Sequence, residues 1–174
     1  VGSYVNVDRY ELNFKHLWSV GHFAPPLLVF GSRFQVTGVD NRSDINDPNS
    51  AKLPSEYRVF LGGDENLRGF GRKVINNNDS GYLTAIYAGF ELRLIQELPF
   101  GLEPFLLYDI AKSGAARYTL NDPVFTSWGL GMRWASPFGT LRASAARGEI
   151  YNEDRVADNY PQGWVYFLSF GQEF

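Results

Sequence analysis

The stretch Thr126-Ser127-Trp128-Gly129-Leu130-Gly131-Met132-Arg133-Trp134-Ala135 puts Trp128, Leu130, Met132 and Trp134 at every second position, with Gly129, Gly131 and Arg133 between them. Successive side chains of a β-strand point to opposite faces, so this segment predicts a strand with one bulky apolar face and one small or polar face. Ser136-Pro137-Phe138-Gly139 then interrupts it with turn residues. A weaker alternation resumes over Thr140–Arg147, where Leu141, Ala143 and Ala145 oppose Arg142, Ser144 and Ala146.

The same period recurs on both sides of this hairpin. Upstream, Arg9–Trp18 sets Tyr10, Leu12 and Phe14 against Arg9, Glu11, Asn13 and Lys15. Leu27–Thr37 sets Leu28, Phe30, Phe34 and Val36 against Arg33, Gln35 and Thr37. Tyr82–Ile95 sends Ile86, Ala88, Phe90, Leu92 and Leu94 one way and Tyr87, Gly89, Glu91 and Arg93 the other. Pro104–Ala111 opposes Leu106, Tyr108 and Ile110 to Phe105, Leu107 and Asp109. Downstream, Trp164–Phe174 carries Trp164, Tyr166, Leu168, Phe170 and Phe174 on one face, and Val165, Phe167, Ser169, Gly171 and Glu173 on the other. These are about seven strands, each near the roughly 9–11 residues that a tilted strand needs to cross a bilayer. No helical period competes with them.

Alternation alone also suits a soluble sheet, so composition and loop lengths must decide. The 174 residues include 14 Phe, 10 Tyr and 18 Gly, a pairing that suits a barrel with aromatic girdles and bending strands. Mean hydropathy is −0.24, as expected where only alternate residues meet lipid. No run of 18 apolar residues exists, which excludes a helical span. The absence of cysteine excludes disulfides and thiolate chemistry. A net charge of −3 argues against nucleic acid as a partner. Short connections at Ser19–Pro26, Gln96–Glu103 and Ser136–Gly139 alternate strictly with long polar ones at Val39–Gly81, Lys112–Phe125 and Gly148–Gly163. Bacterial barrels show this order, with short turns on the periplasmic side and long loops outside. The reading is therefore all-β, a transmembrane antiparallel β-barrel. Counting strands back from a descending last one puts Val1 outside, and seven strands leave two open edges that a bilayer does not satisfy. Residues 1–174 are thus expected to be the C-terminal part of a larger barrel, with no periplasmic domain in this chain. Its missing strands would come from an upstream part of the same protein or from other chains.

The longest connection, residues 39–81, holds Leu61-Gly62-Gly63-Asp64-Glu65-Asn66-Leu67-Arg68-Gly69-Phe70. Glycine permits positive φ and close backbone approach, so this half of the loop could fold back as a tight hairpin. Residues 40–54 read as a solvated excursion. Within it, Asn41, Asp44, Asn46 and Asp47 lack the glycine and distal Glu of a calcium loop. His16 and His22 are too few for a metal centre and are expected to flank a periplasmic turn. No Gly-x-Ser-x-Gly elbow or triad-like grouping points to an enzyme. Trp18, Trp128, Trp134 and Trp164 fall near expected strand ends, as interfacial belts require.

Leu67-Arg68-Gly69-Phe70 resembles the aliphatic–Arg–Gly–aromatic tip of the lumen-plugging loop in the Omp-eighty-five superfamily, the group of BamA, TamA and the two-partner secretion transporters. Glu91-Leu92-Arg93 is similar to the motif of the strand after that loop. Asp109 with Gly114 resembles the next strand's Asp–Gly region at stretched spacing. Gly129–Trp134, Ser136-Pro137-Phe138-Gly139 and Leu141-Arg142 resemble the block near the family's C-terminus. The terminal aromatic strand with Phe170 and Phe174 is similar to the signal read by the barrel-assembly machinery.

The resemblance implies a barrel of about sixteen strands in a Gram-negative-type outer membrane. It implies protein translocation across, or insertion into, that membrane, with lipid and a polypeptide substrate as partners and no cofactor. It further implies that Arg68 reaches into the lumen and pairs with Asp109, with Glu91 nearby. Periodicity independently places both acids on the polar register of their strands. The residues alone also allow Arg68 to be a solvated loop residue, and Arg33 and Arg142 to tune the lumenal field. Two other roles fit such a barrel: an anchor or conduit for a fused passenger such as a patatin-like lipase, and a passive pore.

Overall fold

Seven strands follow one another in chain order: β1 (Val7–Val20), β2 (Leu28–Asn41), β3 (Thr84–Leu94), β4 (Leu102–Gly114), β5 (Val124–Ser136), β6 (Gly139–Tyr151) and β7 (Trp164–Phe170). Each pairs antiparallel with the next in a single sheet ordered β1-β2-β3-β4-β5-β6-β7, so β1 and β7 are its edges. This is a computed structural model, and it describes residues 6–22, 26–42, 53–75, 81–95, 98–137, 139–151 and 163–171. Phe174, half of the expected terminal signal, lies outside the described residues, as do Asp44, Asn46, Asp47 and Phe138.

All seven expected segments are strands, but most run longer than hydropathy alone marks. β2 continues to Asn41, opposite Val7 of β1, and so takes Val39 and Asp40 out of the loop. Pairing carries the ladder on after the apolar alternation has faded, because each unpaired N–H and C=O would otherwise have to find another partner. β4 and β6 lengthen in the same way, to Gly114 and Tyr151. His16 lies near the end of β1, as the expected strand had it, its ring 4.2 Å from that of Trp18 and stacked on Phe14.

The two faces of the sheet differ in kind. The outer face carries Leu12, Leu106, Leu130, Tyr166 and Leu168, all largely exposed. The inner face carries Glu91, Arg93, Asp109, Ser127 and Arg142, all buried. A soluble sheet would reverse this arrangement. What buries the inner face is the loop between β2 and β3. Its residues Leu53, Val59, Leu61, Leu67, Phe70 and Ile75 pack on Val39, Ala85, Tyr87, Ala111 and Phe125 of the sheet. The foldback expected from the paired glycines is present: Leu61 bridges Ile75, and Val59 bridges Tyr82.

Candidate functional site

Strand register assembles a receiving row across the inner face. Arg33 of β2 stands opposite Gly89 of β3, Gly89 opposite Asp109 of β4, Asp109 opposite Ser127 of β5, and Ser127 opposite Gly148 of β6. The row sets the small residues Gly89, Ser127 and Gly148 around Asp109. It leaves a notch beside an acid, into which the loop tip descends.

Local chemistry shapes the tip before it reaches the wall. The Asn66 side-chain oxygen accepts hydrogen bonds from the backbone N–H of Gly62 at 2.7 Å and of Leu67 at 2.8 Å, tying the two arms together. Gly62 has φ 98°, and a Cβ there would lie 2.3 Å from the Gly71 carbonyl oxygen, so the turn needs glycine on both counts. The Glu65 carbonyl accepts from Arg33 Nη1 at 2.7 Å. Arg33, read from sequence as shaping the lumenal field, directly holds the shoulder of the tip.

Arg68 then enters the row. Its Nε donates to Asp109 Oδ2 at 2.9 Å and its Nη2 to Asp109 Oδ1 at 2.5 Å, a two-pronged fork on one carboxylate. Its own backbone N–H donates to Oδ2 at 3.1 Å, so Asp109 grips main chain and side chain together. Nη1 turns to Glu91 Oε1. Glu91 also accepts from Arg93 Nε at 2.9 Å and from Arg142 Nη2. The Arg68 side chain is 2 % exposed and Asp109 is wholly buried. Burial opposes the Arg68 charge, but Asp109 more than compensates, so the guanidinium is held above its ordinary range.

The rest of the tip fits the wall by shape. A Cβ on Gly69 would stand 2.4 Å from the backbone of Arg147 and Gly148, so this position admits no side chain. Phe70 crosses the Phe125 ring edge-on at a centroid distance of 5.9 Å, and it fills the space above Gly148. Leu67 is fully buried in the same cluster.

The structure therefore brings together Leu67, Arg68, Gly69, Phe70, Glu91 and Asp109, the loop motif and its two expected partners. Phe170 stands apart, exposed on the outer face of β7. Sequence reasoning missed Tyr87 and Ser127, which both donate to Asp109 at 3.0 Å. It also assigned Arg142 no partner, although Arg142 bonds Glu91. Their signal was available in the inward register they share with Glu91 and Asp109, but hydroxyls and an arginine on a polar face have many other uses. No group of residues suited to a metal ion occurs among the described residues.

A family model described as the Omp85 superfamily domain matches residues 2–174. The fold is similar to the crystal structure of BamA from Haemophilus ducreyi lacking POTRA domains 1-3, with a TM-score of 0.67 and 16 % sequence identity. That likeness covers 94 % of this chain and 35 % of the other, so the chain spans about a third of that relative. No curated protein matches the sequence.

Proposed function

We propose, because the chain belongs to the Omp85 superfamily, that it forms the C-terminal part of an integral outer-membrane barrel that passes polypeptides across, or inserts them into, that membrane. The observation that carries this reading is the buried fork of Arg68 on Asp109. It fastens a long loop inside the sheet, where a passive pore would need only a constriction. In this reading residues 1–174 are barrel throughout, and the remaining strands and the periplasmic domains belong to the upstream part of the protein. The barrel performs no chemistry on its substrate. It positions a conduit wall, a plug and a seam.

The seam would lie along β7, whose ladder with β6 runs from Trp164 to Phe170 among the described residues. Gly171 follows with φ 74°; its backbone N–H donates to the Thr140 carbonyl at 2.8 Å, and a Cβ placed there would meet nothing within 4 Å among the described residues. Phe170 and Phe174 would serve earlier, as the mark by which the assembly machinery recognises the unfolded barrel.

The direct test is Arg68→Ala in the full-length protein, assayed for secretion or for barrel insertion. The expected result is at least about a ten-fold loss of activity with normal heat-modifiable gel mobility, since one charge-assisted fork is removed and the ladder is untouched. Full activity with normal mobility would refute the assignment.

A further inference from the structure

Asp109 accepts five hydrogen bonds, and only three of them come from the loop. The other two belong to the wall: Tyr87 Oη donates to Oδ1 at 3.0 Å, and Ser127 Oγ donates to Oδ2 at 3.0 Å. The two donors come from opposite sides, β3 and β5, and each takes one carboxylate oxygen. A carboxylate held in this way cannot rotate freely, and its other three bonds go to the loop tip. Tyr87 reaches its position only because Gly89 lies between it and Asp109. A Cβ on Gly89 would be 2.1 Å from the phenol oxygen and 3.0 Å from Asp109 Oδ1. Gly89, Asp109 and Ser127 are direct cross-strand neighbours, so the whole arrangement is fixed by the ladder. Glu91 adds a second carboxylate two residues along β3, itself held by Arg93 of the same strand and Arg142 of β6.

We infer that Tyr87 and Ser127 are positioning residues, and that with Gly89, Asp109 and Glu91 they form a guanidinium receptor complete in the barrel wall before the loop arrives. The loop tip is then the intramolecular ligand of a preorganised site, so the wall loses little freedom when Arg68 docks. The inference rests on the docked geometry and not on transport, so it stands or falls separately from the proposed activity.

The test uses the full-length protein folded in membranes, with chymotrypsin cleavage after Phe60 or Phe70 reporting whether the loop is seated. Wild type should resist cleavage, and Arg68→Ala should be cut readily. Adding methylguanidinium to Arg68→Ala should restore protection, because the free cation occupies the vacant receptor. Adding Tyr87→Phe and Ser127→Ala to Arg68→Ala should weaken that restoration by at least about ten-fold in the concentration required, the scale for losing hydrogen bonds to a charged group. Ser127→Thr, which keeps the hydroxyl, should leave the restoration intact, so a general packing defect is distinguished from a lost donor. The inference is overturned if methylguanidinium protects equally well without the two hydroxyls. It is also overturned if methylguanidinium gives no protection while a normal heat-modifiable shift shows that the Arg68→Ala barrel is folded. Neither outcome depends on whether Arg68→Ala secretes or inserts substrate.

Discussion

The inner and outer faces of this sheet are made by the same strands, from alternate residues, and obey opposite rules. On β4, Asp109 is fully buried while Leu106, three positions away and on the other face, is 60 % exposed. A water-soluble sheet hides its leucines and wets its aspartates. Here the polar row is sealed under a loop and the apolar row is left uncovered. That pattern is stable only if the solvent of the outer face is hydrocarbon, and if the buried charges of the inner face are paired. The difference between the faces therefore serves as a gauge of environment, and substitutions on either side read it out.

The largest effect is expected on the inner face. Asp109→Ala leaves Arg68 with one of its two carboxylates and leaves Tyr87 and Ser127 without their acceptor. Removing one partner of a buried ion pair costs about 3–5 kcal/mol, because the remaining charge stays desolvated. Equilibrium unfolding of the full-length protein in lipid vesicles should show a loss of that size. A loss below about 1 kcal/mol would mean that the tip withdraws and Arg68 rehydrates, so that the inner face is not sealed after all.

On the outer face the corresponding change is Leu106→Arg. Leu106 sits in a row with Leu92 of β3 and Leu130 of β5, away from the strand ends. Arginine near the bilayer midplane of a barrel costs about 2–4 kcal/mol, falling toward zero near the interfaces. On the surface of a soluble protein the same substitution would stay within about 0.5 kcal/mol. Measured unfolding in vesicles thus decides which solvent the outer face meets, and a neutral result would break the comparison.

Much of this contrast was legible in the sequence, because period two is a direct consequence of strand geometry. The alternation of Trp128, Leu130, Met132 and Trp134 with Gly129, Gly131 and Arg133 gave both the strand and its faces. Strand ends were less legible: β2 runs on to Asn41 and β6 to Tyr151 through residues with no clear pattern, since backbone pairing there does not depend on which side chain is apolar. The site followed the same division. Arg68, Glu91 and Asp109 stood out through charge in a motif. Tyr87 and Ser127 did not, because their role comes from register across β3, β4 and β5, which a linear reading does not reveal. Arg33 was placed on the correct face, but its bond to the Glu65 carbonyl depends on how the loop folds back.

The smallest effect sharpens the comparison most. Arg72 lies four residues after Arg68 in the same loop and makes the same kind of fork: Nε to Asp64 Oδ1 at 3.1 Å and Nη2 to Asp64 Oδ2 at 3.1 Å. The Arg72 side chain is 67 % exposed, where that of Arg68 is 2 % exposed. Water screens the outer pair and supplies replacement hydrogen bonds, so it is worth about 0.2–1 kcal/mol and weakens as salt is added. Arg72→Ala should therefore change stability by no more than about 1 kcal/mol, with the difference from wild type shrinking between low and high ionic strength. The Arg68 fork, out of reach of mobile ions, should show no such shrinkage. Two bidentate arginine–aspartate forks in one loop, one buried in a network and one exposed, would then differ in salt response. Equal salt dependence in both would show that water and ions enter the notch beneath the loop tip.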